Sequence, residues 1–384
     1  MEESPKMKKL FFFSLIFLMI VLNISVFAQD TIKIGILGPM TGPNVDIGVT
    51  VRDASIMAME EINSSGGING KMFEWFIIND EAIPAKSVIG AKKLIFDIGV
   101  DILIGPSNSG CAEAVGAVTN PNKTVNIVPG QSNALTGPDK PFVYRSSMVN
   151  VEIAKCMMNF LKDKNFNRIA VIYDTTGYGE NWYNTFIATA KENNLDIVCS
   201  ESFEVDVFDL TPQVVRIKNT NPDILVFLGV GGDVGTLAKA EKRLGLDVPH
   251  LGTNGFGTQA AMEIGGADIN GYIFPDSVDL GNPKWLEFKE KYRERYNIPE
   301  IFSCHPPAQA YDAIYLLAQG LRKTNGEAGE ALKKALDEGV SVDGVIGKRG
   351  SGGASWRAGK PDALTAEQLT MIEIKDEKFT LYEE

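Results

Sequence analysis

Two neighbouring stretches of the chain decide its fold: DILIGPSNSGCAEAVGAV at residues 101–118 and VNIVPGQSNAL at residues 125–135. In each stretch, a short apolar run of the kind found in buried strands stops at a turn of small and polar residues. A segment with a helical pattern then follows the turn. Two such units in a row predict parallel strands whose carboxyl ends, and therefore whose turns, lie at one edge of a sheet.

Each of these turns carries a serine, Ser109 or Ser132, that allows two interpretations. A serine before a helix commonly caps the helix with its hydroxyl. Alternatively, the hydroxyl and the unpaired N–H groups of the helix N-terminus bind an anionic group of a ligand, which the helix dipole favours. Ligands of open α/β sheets sit at the carboxyl ends of the strands, so two such turns in succession favour a ligand site.

The same alternation of strands and helices runs along the chain and restarts at Arg168. Strands are predicted at 31–37, 75–78, 101–104, 125–128 and 142–145, and after the restart at 169–173, 196–200, 223–228 and 250–251. Two runs of alternation predict an α/β fold with two doubly wound parallel-sheet lobes. Three further helices, a mobile glycine-rich loop at 347–359 and a hairpin at 370–382 are expected to follow.

Composition and charge exclude several classes of function. The 384 residues are too many for one ordinary domain, and the formal net charge of −12, with no basic patch, argues against a nucleic-acid partner. The two histidines and four cysteines have no metal-ligand spacing, so neither a metal nor a cofactor is expected. One disulfide is possible in an exported chain, but the sequence does not pair the cysteines.

The N-terminus has the pattern of an export signal. Lys6, Lys8 and Lys9 precede an apolar run at 10–22, and Val26-Phe27-Ala28 provides small residues at the −3 and −1 positions of a cleavage site. This pattern predicts a signal peptide over residues 1–28, cleavage after Ala28 and a periplasmic location. Either Met1 or Met7 serves as the start.

Catalytic motifs do not emerge from the sequence. The glycine-rich stretch at 229–235 follows a strand and opens a helix, but the third glycine of a dinucleotide fingerprint falls on Val234. No serine or histidine stands in a nucleophile–base motif. The sequence therefore does not predict an enzyme.

The chain resembles the type I periplasmic solute-binding proteins of the branched-chain amino-acid transporter family. The resemblance rests on the following stretches: IGILGPMTG at 34–42, INSSGGING at 62–70, IGPSNS at 104–109, DTTGYG at 174–179 and AQAYDA at 308–313. They occur in the family's order over nearly all of 31–384. The family fold implies two lobes joined by a three-segment hinge, with a ligand enclosed between them.

The resemblance also implies lobe boundaries, partners and a mode of action. The first lobe would comprise 31–147 plus 276–343, and the second 148–275 plus 344–384. A monomer would capture a small carboxylate-bearing ligand by hinge closure and deliver it to the membrane permease of an ABC importer. A sensor for signalling would need the same cleft, and an exported α/β enzyme is a further alternative.

Family binding positions transfer unevenly to this chain. Ser109 matches the serine that holds a ligand carboxylate together with backbone N–H groups, and Tyr178 matches a tyrosine of the second lobe. Asn254 stands where the family has the carboxylate that pairs with an α-amino group. The complete set of candidate ligand-binding residues is Ile47, Asn108, Ser109, Gln131, Ser132, Tyr178, Val230, Asn254, Phe302 and His305.

The replacement at Asn254 bears on the identity of the ligand. A buried α-amino group needs an anionic partner, which asparagine does not supply, although Asp233 or Glu204 could compensate. The resemblance and this replacement together predict a carboxylate or amide ligand without a free α-amino group, with an amino acid as the alternative.

Overall fold

The strands form two main sheets, one from each run of the predicted alternation. The computed structural model describes residues 31–42, 44–229, 231–298 and 305–383. The predicted signal peptide with its cleavage site, and the candidate residues Val230 and Phe302, lie outside these ranges. Within them, no helix has the length and apolar character needed to cross a membrane.

The first sheet is entirely parallel and has the strand order β2-β1-β3-β4-β5. Its strands are β1 (Thr31–Gly38), β2 (Met72–Asn79), β3 (Ile102–Ile104), β4 (Val125–Val128) and β5 (Val143–Arg145). The helices between them are α1 (Val45–Ser64), α2 (Pro84–Lys92, continued by a π-helical turn at Lys93–Ile98) and α3 (Ser109–Thr119). Every residue of β3 and β4 is buried, as expected for central strands covered by helices on both faces.

The second sheet has the order β14-β13-β10-β9-β8-β6-β7, with parallel strands except for an antiparallel hairpin at one edge. Its strands are β6 (Arg168–Asp174), β7 (Asp196–Phe203), β8 (Ile224–Leu228), β9 (His250–Gly252), β10 (Tyr272–Asp276), β13 (Thr370–Lys375) and β14 (Lys378–Leu381). Its helices are α4 (Asn150–Asp163), α5 (Gly177–Glu192), α6 (Thr211–Lys218), α7 (Asp233–Leu244) and α8 (Gln259–Gly265). Two doubly wound lobes and the hairpin are therefore confirmed.

After β10 the chain returns to the first lobe. The elements of this return are α9 (Pro283–Tyr296), α10 (His305–Lys323), α11 (Gly329–Asp337), β11 (Val340–Val342) and β12 (Ala354–Trp356). Helix α10 packs along α1 and also contacts β11 and β12, which pair with each other. Short 3-10 turns lie at Asn133–Leu135, Asn254–Phe256, Gly266–Ile269 and Ala366–Gln368.

The exact division into lobes remains a proposal. Strand β12 pairs with β11, and the indole N–H of Trp356 donates to the carbonyl oxygen of Arg145 in β5 at 2.8 Å. We therefore propose that the third passage between the lobes lies at 364–369, later in the chain than the boundary at residue 344 that the resemblance implied.

Two sequence-based expectations need correction. The segment 347–359 was predicted to be a loop throughout, but residues 354–356 form β12, and Trp356 is fully buried. Strand β10 and helix α8 were not predicted at all. Strand β10 contains Pro275, which cannot donate a ladder hydrogen bond and hides a strand from pattern analysis.

Candidate functional site

The start of α3 presents backbone donors toward the space between the lobes. The first helical hydrogen bond of α3 runs from the N–H of Ala112 to the carbonyl oxygen of Asn108. The N–H groups of Ser109, Gly110 and Cys111 therefore have no acceptor within the helix. The Asn108 side chain makes no capping hydrogen bond, although asparagine at this position usually does. The start of α3 can thus bind an external acceptor.

The two serines of the strand-ending turns have different roles. Ser109 is buried and lines a cavity, and its hydroxyl oxygen accepts a hydrogen bond from the N–H of Ser132 at 3.4 Å. The Ser132 hydroxyl instead accepts from the N–H of Ala134 at 3.3 Å, so it caps the short turn Asn133–Leu135. Ser132 does not line the cavity, and we remove it from the candidate ligand-binding set.

A cavity of about 520 Å³ lies between the two lobes. The first lobe contributes Gly42, Asn44, Ile47, 81–84, 107–111 and 129–131, the second contributes 176–178, Val205, Asn254, Gly255 and Thr258, and α10 contributes His305, Pro306 and Gln309. The lobes also touch directly, because the Asn133 amide donates to the Thr185 hydroxyl at 2.8 Å. This volume suits a small molecule enclosed by both lobes.

In the second lobe, the N-terminus of α5 faces the cavity, and a side chain already caps its backbone N–H groups. The Thr176 hydroxyl accepts from the N–H groups of Tyr178 and Gly179, at 3.2 and 3.4 Å. The Tyr178 hydroxyl donates to Thr253 at 3.0 Å and lies 3.5 Å from the side-chain oxygen of Gln131 across the cleft. Burial raises the pKa of Tyr178, which keeps this hydroxyl neutral.

Several polar atoms at the cavity are buried and have no partner in the described part of the chain. They are the hydroxyl oxygen of Ser107, the side-chain oxygen of Asn108 and the side-chain nitrogen of Asn254. An unpaired buried polar group costs free energy, so native structures rarely retain one without a reason.

His305, the first residue of α10, lines the cavity and contacts the end of β10. Its Nδ1 lies 3.0 Å from the Asp276 carboxylate at the end of β10.

Asp46 belongs to α1, and burial raises its pKa. Hydrogen bonds from the backbone N–H groups of Ile47 and Ala260, together with the nearby His305, oppose that shift. Because Ala260 lies in α8, Asp46 joins the first lobe to the second.

Formal charges on the described cavity wall are few. Glu81 lies at the cavity rim, about half exposed, with its carboxylate 2.7 Å from the Lys86 ammonium. Neither of the two carboxylates that the sequence left open as a replacement partner in place of Asn254 lines the cavity: Glu204 is exposed, and Asp233 accepts from the Asp206 N–H at 3.4 Å. Burial raises the pKa of Asp233 to about 7. No cluster of three or more potential metal ligands occurs among the described residues.

A fully buried arginine supports the loop beside α3. Arg145 donates through its guanidinium to the carbonyl oxygens of Gly130 and Ser132, on either side of Gln131, and pairs with the Asp362 carboxylate at 2.5 Å. These contacts fix the backbone that carries Gln131 into the cavity. The sequence offered no signal for this role, because Arg145 ends an apolar strand and its partner lies far along the chain.

The structure brings most of the predicted residues together. Those that line the cavity are Ile47, Asn108, Ser109, Gln131, Tyr178, Asn254 and His305. Sequence reasoning missed Ser107, Thr258 and Gln309, which also line it. Ser107 lay within the quoted turn, and its position beside Asn108 and Ser109 was the available signal.

Comparisons with known proteins agree with this architecture. A family model described as periplasmic binding protein matches residues 31–375. The Leu/Ile/Val-binding protein BraC3 of Rhizobium johnstonii is 28% identical, over 84% of this chain and 87% of that protein. The leucine-, isoleucine-, valine-, threonine- and alanine-binding protein of Pseudomonas aeruginosa is 26% identical, over 80% of this chain and 83% of that protein.

Solved structures show the same arrangement of lobes. A type 1 periplasmic binding protein from Bordetella pertussis superposes with a TM-score of 0.82 at 26% identity, over 92% of this chain and all of that one. The substrate-binding protein of a branched-chain amino acid transporter from Streptococcus pneumoniae, solved with isoleucine, has a TM-score of 0.81 at 22% identity, over 91% and 98%. At 22% identity, the similarity to the Streptococcus pneumoniae protein shows only that the two chains share a fold. The chain therefore belongs to the periplasmic binding protein family, in its type I branched-chain amino-acid group, whose members are extracytoplasmic solute-binding proteins and not enzymes.

Proposed function

We propose that this protein captures a small molecule bearing a carboxylate or an amide between its lobes and delivers it to the permease of an ABC importer. The observation that carries the proposal is the cavity between the lobes, where the start of α3 offers unpaired N–H groups beside the Ser109 hydroxyl. An acceptor group of a ligand suits these donors, and the helix dipole favours it.

Closure of the hinge would turn binding into a signal. The cavity is lined from both lobes, so a ligand that contacts both walls stabilises the closed form by its differential affinity. A permease that recognises the closed form would then receive loaded protein in preference to empty protein. We propose that the protein acts as a monomer in this cycle.

Ser109→Ala tests the proposal against a matched control, Ser132→Ala. Loss of one hydrogen bond to a charged or strongly polar ligand group should weaken binding by about 10- to 100-fold. Ser132→Ala should leave the affinity unchanged, because that hydroxyl caps its own turn. Isothermal titration with the ligand that co-purifies measures both. Equal affinities of the wild type and both variants would contradict the proposal.

The export step is a separate proposal. We propose that the precursor is cleaved after Ala28, on the basis of the basic, apolar and small-residue segments that precede this position. Mass spectrometry of the exported protein should give a chain that begins at Gln29. An intact N-terminus would contradict the proposed cleavage.

A further inference from the structure

Asn133 bonds the first lobe directly to the second. Its backbone N–H donates to the side-chain oxygen of Asn181 on α5 at 3.0 Å, and its side-chain amide donates to the Thr185 hydroxyl on the same helix at 2.8 Å. The two acceptors are at positions 181 and 185, so they lie above one another on one face of α5. One residue of the first lobe therefore contacts a full turn of a helix in the second. We call Asn133, Asn181 and Thr185 the interlobe clamp.

Further hydrogen bonds hold both acceptors of the interlobe clamp in place. The Asn181 side-chain oxygen also accepts from the side-chain amide of Asn150, at the start of α4, at 3.0 Å. The Thr185 hydroxyl donates to the carbonyl oxygen of Asn181 at 2.7 Å. The backbone N–H of Asn150 donates in turn to the carbonyl oxygen of Gln131 at 2.9 Å. Groups that are already ordered lose little conformational freedom when they form a contact, which favours the contact.

The interlobe clamp lies next to two side chains that face each other across the cavity. Gln131 is two positions before Asn133, and Tyr178 is three positions before Asn181, about one turn of α5 away. The Tyr178 hydroxyl lies 3.5 Å from the side-chain oxygen of Gln131. The clamp therefore fixes how far apart these two parts of the cavity wall lie.

The clamp residues act on the cavity without being part of it. None of the three belongs to the cavity wall as the structure describes it. The lobes are in close contact nearby, because a Cβ atom on Gly177 would lie 3.5 Å from the Cα atom of Gly110. Movement of α5 away from the first lobe would break the hydrogen bonds of Asn133. A hinged protein binds with an apparent affinity that scales with the fraction of free molecules in the competent arrangement, so a contact between the lobes raises that affinity.

We infer that the interlobe clamp raises the closed fraction of the ligand-free protein, and that Asn133, Asn181 and Thr185 are positioning residues that strengthen binding in a cavity they do not line. The inference goes beyond the proposed function, on which only its consequence for affinity rests. A ligand that contacts both walls adds its own differential affinity, so loaded protein is still more closed than empty protein.

Two substitutions at one position test the clamp in the absence of ligand. Asn181→Leu removes the acceptor and keeps a side chain of similar size, whereas Asn181→Asp keeps an oxygen acceptor. Small-angle X-ray scattering is measured on protein freed of ligand by unfolding in urea, dialysis and refolding. The radius of gyration of Asn181→Leu should exceed that of the wild type, because its lobes are apart more often. Asn181→Asp should match the wild type or be more compact, since a carboxylate accepts stronger hydrogen bonds.

Asn184→Leu is the matched control, at an exposed position on the same helix. It makes the same exchange outside the clamp and should keep the wild-type radius. Asn133→Ala removes only the hydrogen bond to Thr185 and should give a smaller increase than Asn181→Leu, and it serves as the test variant if Asn181→Leu does not fold. Thermal unfolding verifies the fold of each variant. Equal radii of the wild type and the folded test variant would overturn the inference, as would an equal increase in Asn184→Leu.

Ligand affinity gives a second reading. The probe is the compound that is released from denatured wild-type protein and identified by mass spectrometry. Titration calorimetry should show binding to Asn181→Leu weakened by about two- to tenfold, the equivalent of one hydrogen bond, with no loss in Asn181→Asp or Asn184→Leu. Unchanged affinity in Asn181→Leu would overturn the positioning role. Because the scattering measurements need no ligand, they decide on the clamp even if no compound is released, an outcome that would count against the proposed function alone.

Discussion

Two helix N-termini face the same cavity from opposite lobes. We call the N-terminus of α3 open, because no side chain caps its backbone N–H groups, and that of α5 closed, because Thr176 caps it. At α3 the Asn108 side chain makes no cap, so the backbone donors of 109–111 remain available. At α5 the Thr176 hydroxyl already accepts from Tyr178 and Gly179. The first lobe can thus hold a ligand by its main chain, whereas the second contributes side chains such as those of Tyr178 and Asn254. A helix N-terminus at a cleft is therefore a binding site only where its own cap leaves it free.

Removing Arg145, which supports the loop beside α3, should cause the largest loss of stability. Arg145→Ala leaves the Asp362 carboxylate and the carbonyl oxygens of Gly130 and Ser132 without their partner. Removing one member of a buried ion pair costs about 3–5 kcal/mol, and we expect a loss of this size in the free energy of unfolding. Urea unfolding measures it.

An exposed ion pair serves as the control for Arg145. Arg216 pairs with Glu201 on the surface, and Arg216→Ala should cost at most about 1 kcal/mol. Similar losses in Arg145→Ala and Arg216→Ala would show that the buried arginine does not support the loop.

Adding a side chain at Gly130, beside the N-terminus of α3, should cause the next largest loss of stability. A Cβ atom on Gly130 would lie 2.7 Å from Leu135 Cδ1 and 3.2 Å from the Ser109 hydroxyl oxygen. Gly130→Ala should therefore lower the unfolding free energy by about 1–3 kcal/mol and weaken ligand binding, since Ser109 must shift. In Gly116→Ala, within α3, the new Cβ meets its nearest neighbour at 3.7 Å, and stability should stay equal or rise. Unfolding and titration of both variants distinguish them.

Removing the side-chain cap of α5 should cause a smaller loss of stability. Thr176→Ala removes the cap of α5 and should cost about 1 kcal/mol of unfolding free energy. Ligand affinity should change far less than in Ser109→Ala, because the Thr176 hydroxyl is already engaged by Asp174 and the helix. A loss of affinity in Thr176→Ala as large as in Ser109→Ala would remove the distinction between the two helix starts.

The smallest expected effect is a pH dependence of stability that comes from Asp174, whose carboxyl group accepts a hydrogen bond from Thr176 at the start of α5. Burial raises the pKa of Asp174, partly offset by hydrogen bonds from Thr176 and Gly179. The folded protein therefore binds this proton more tightly than the unfolded chain does. The resulting stability is complete below the unfolded pKa of about 4 and is lost as pH rises through the folded value. Across that range the unfolding free energy of Asp174→Asn should fall less than that of the wild type, and a pH series of urea titrations measures it.

Local patterns in the sequence predicted most of the fold. The apolar runs at β3, β4 and β8 are buried throughout, and the tail hairpin turns where Asp376 and Glu377 interrupt its strands. Strand β12 was missed because its stability comes from Trp356 packing near Arg145, a contact between distant parts of the chain. Patterns of hydrophobicity report burial by nearby elements and not such long-range pairs.

The site was predictable at the level of its turns and less so at the level of single atoms. Ser109 and Ser132 follow strands in nearly the same way, yet only Ser109 begins a long helix beside the cavity. Whether a hydroxyl caps its own turn or faces a ligand depends on the next two or three backbone N–H groups, which composition does not encode. The unpaired state of Asn108 and Asn254 likewise required coordinates.

The Arg145–Asp362 pair has a consequence for the order in which the protein can be made. The two residues are 217 positions apart, and Trp356 reaches the same arginine across 211 positions. During synthesis the first lobe emerges early, but its buried guanidinium has no counter-charge until almost the entire chain has followed. A nascent chain that still lacks residue 362 therefore carries an unfinished first lobe. That delay leaves the first lobe without this stabilising contact while translation continues.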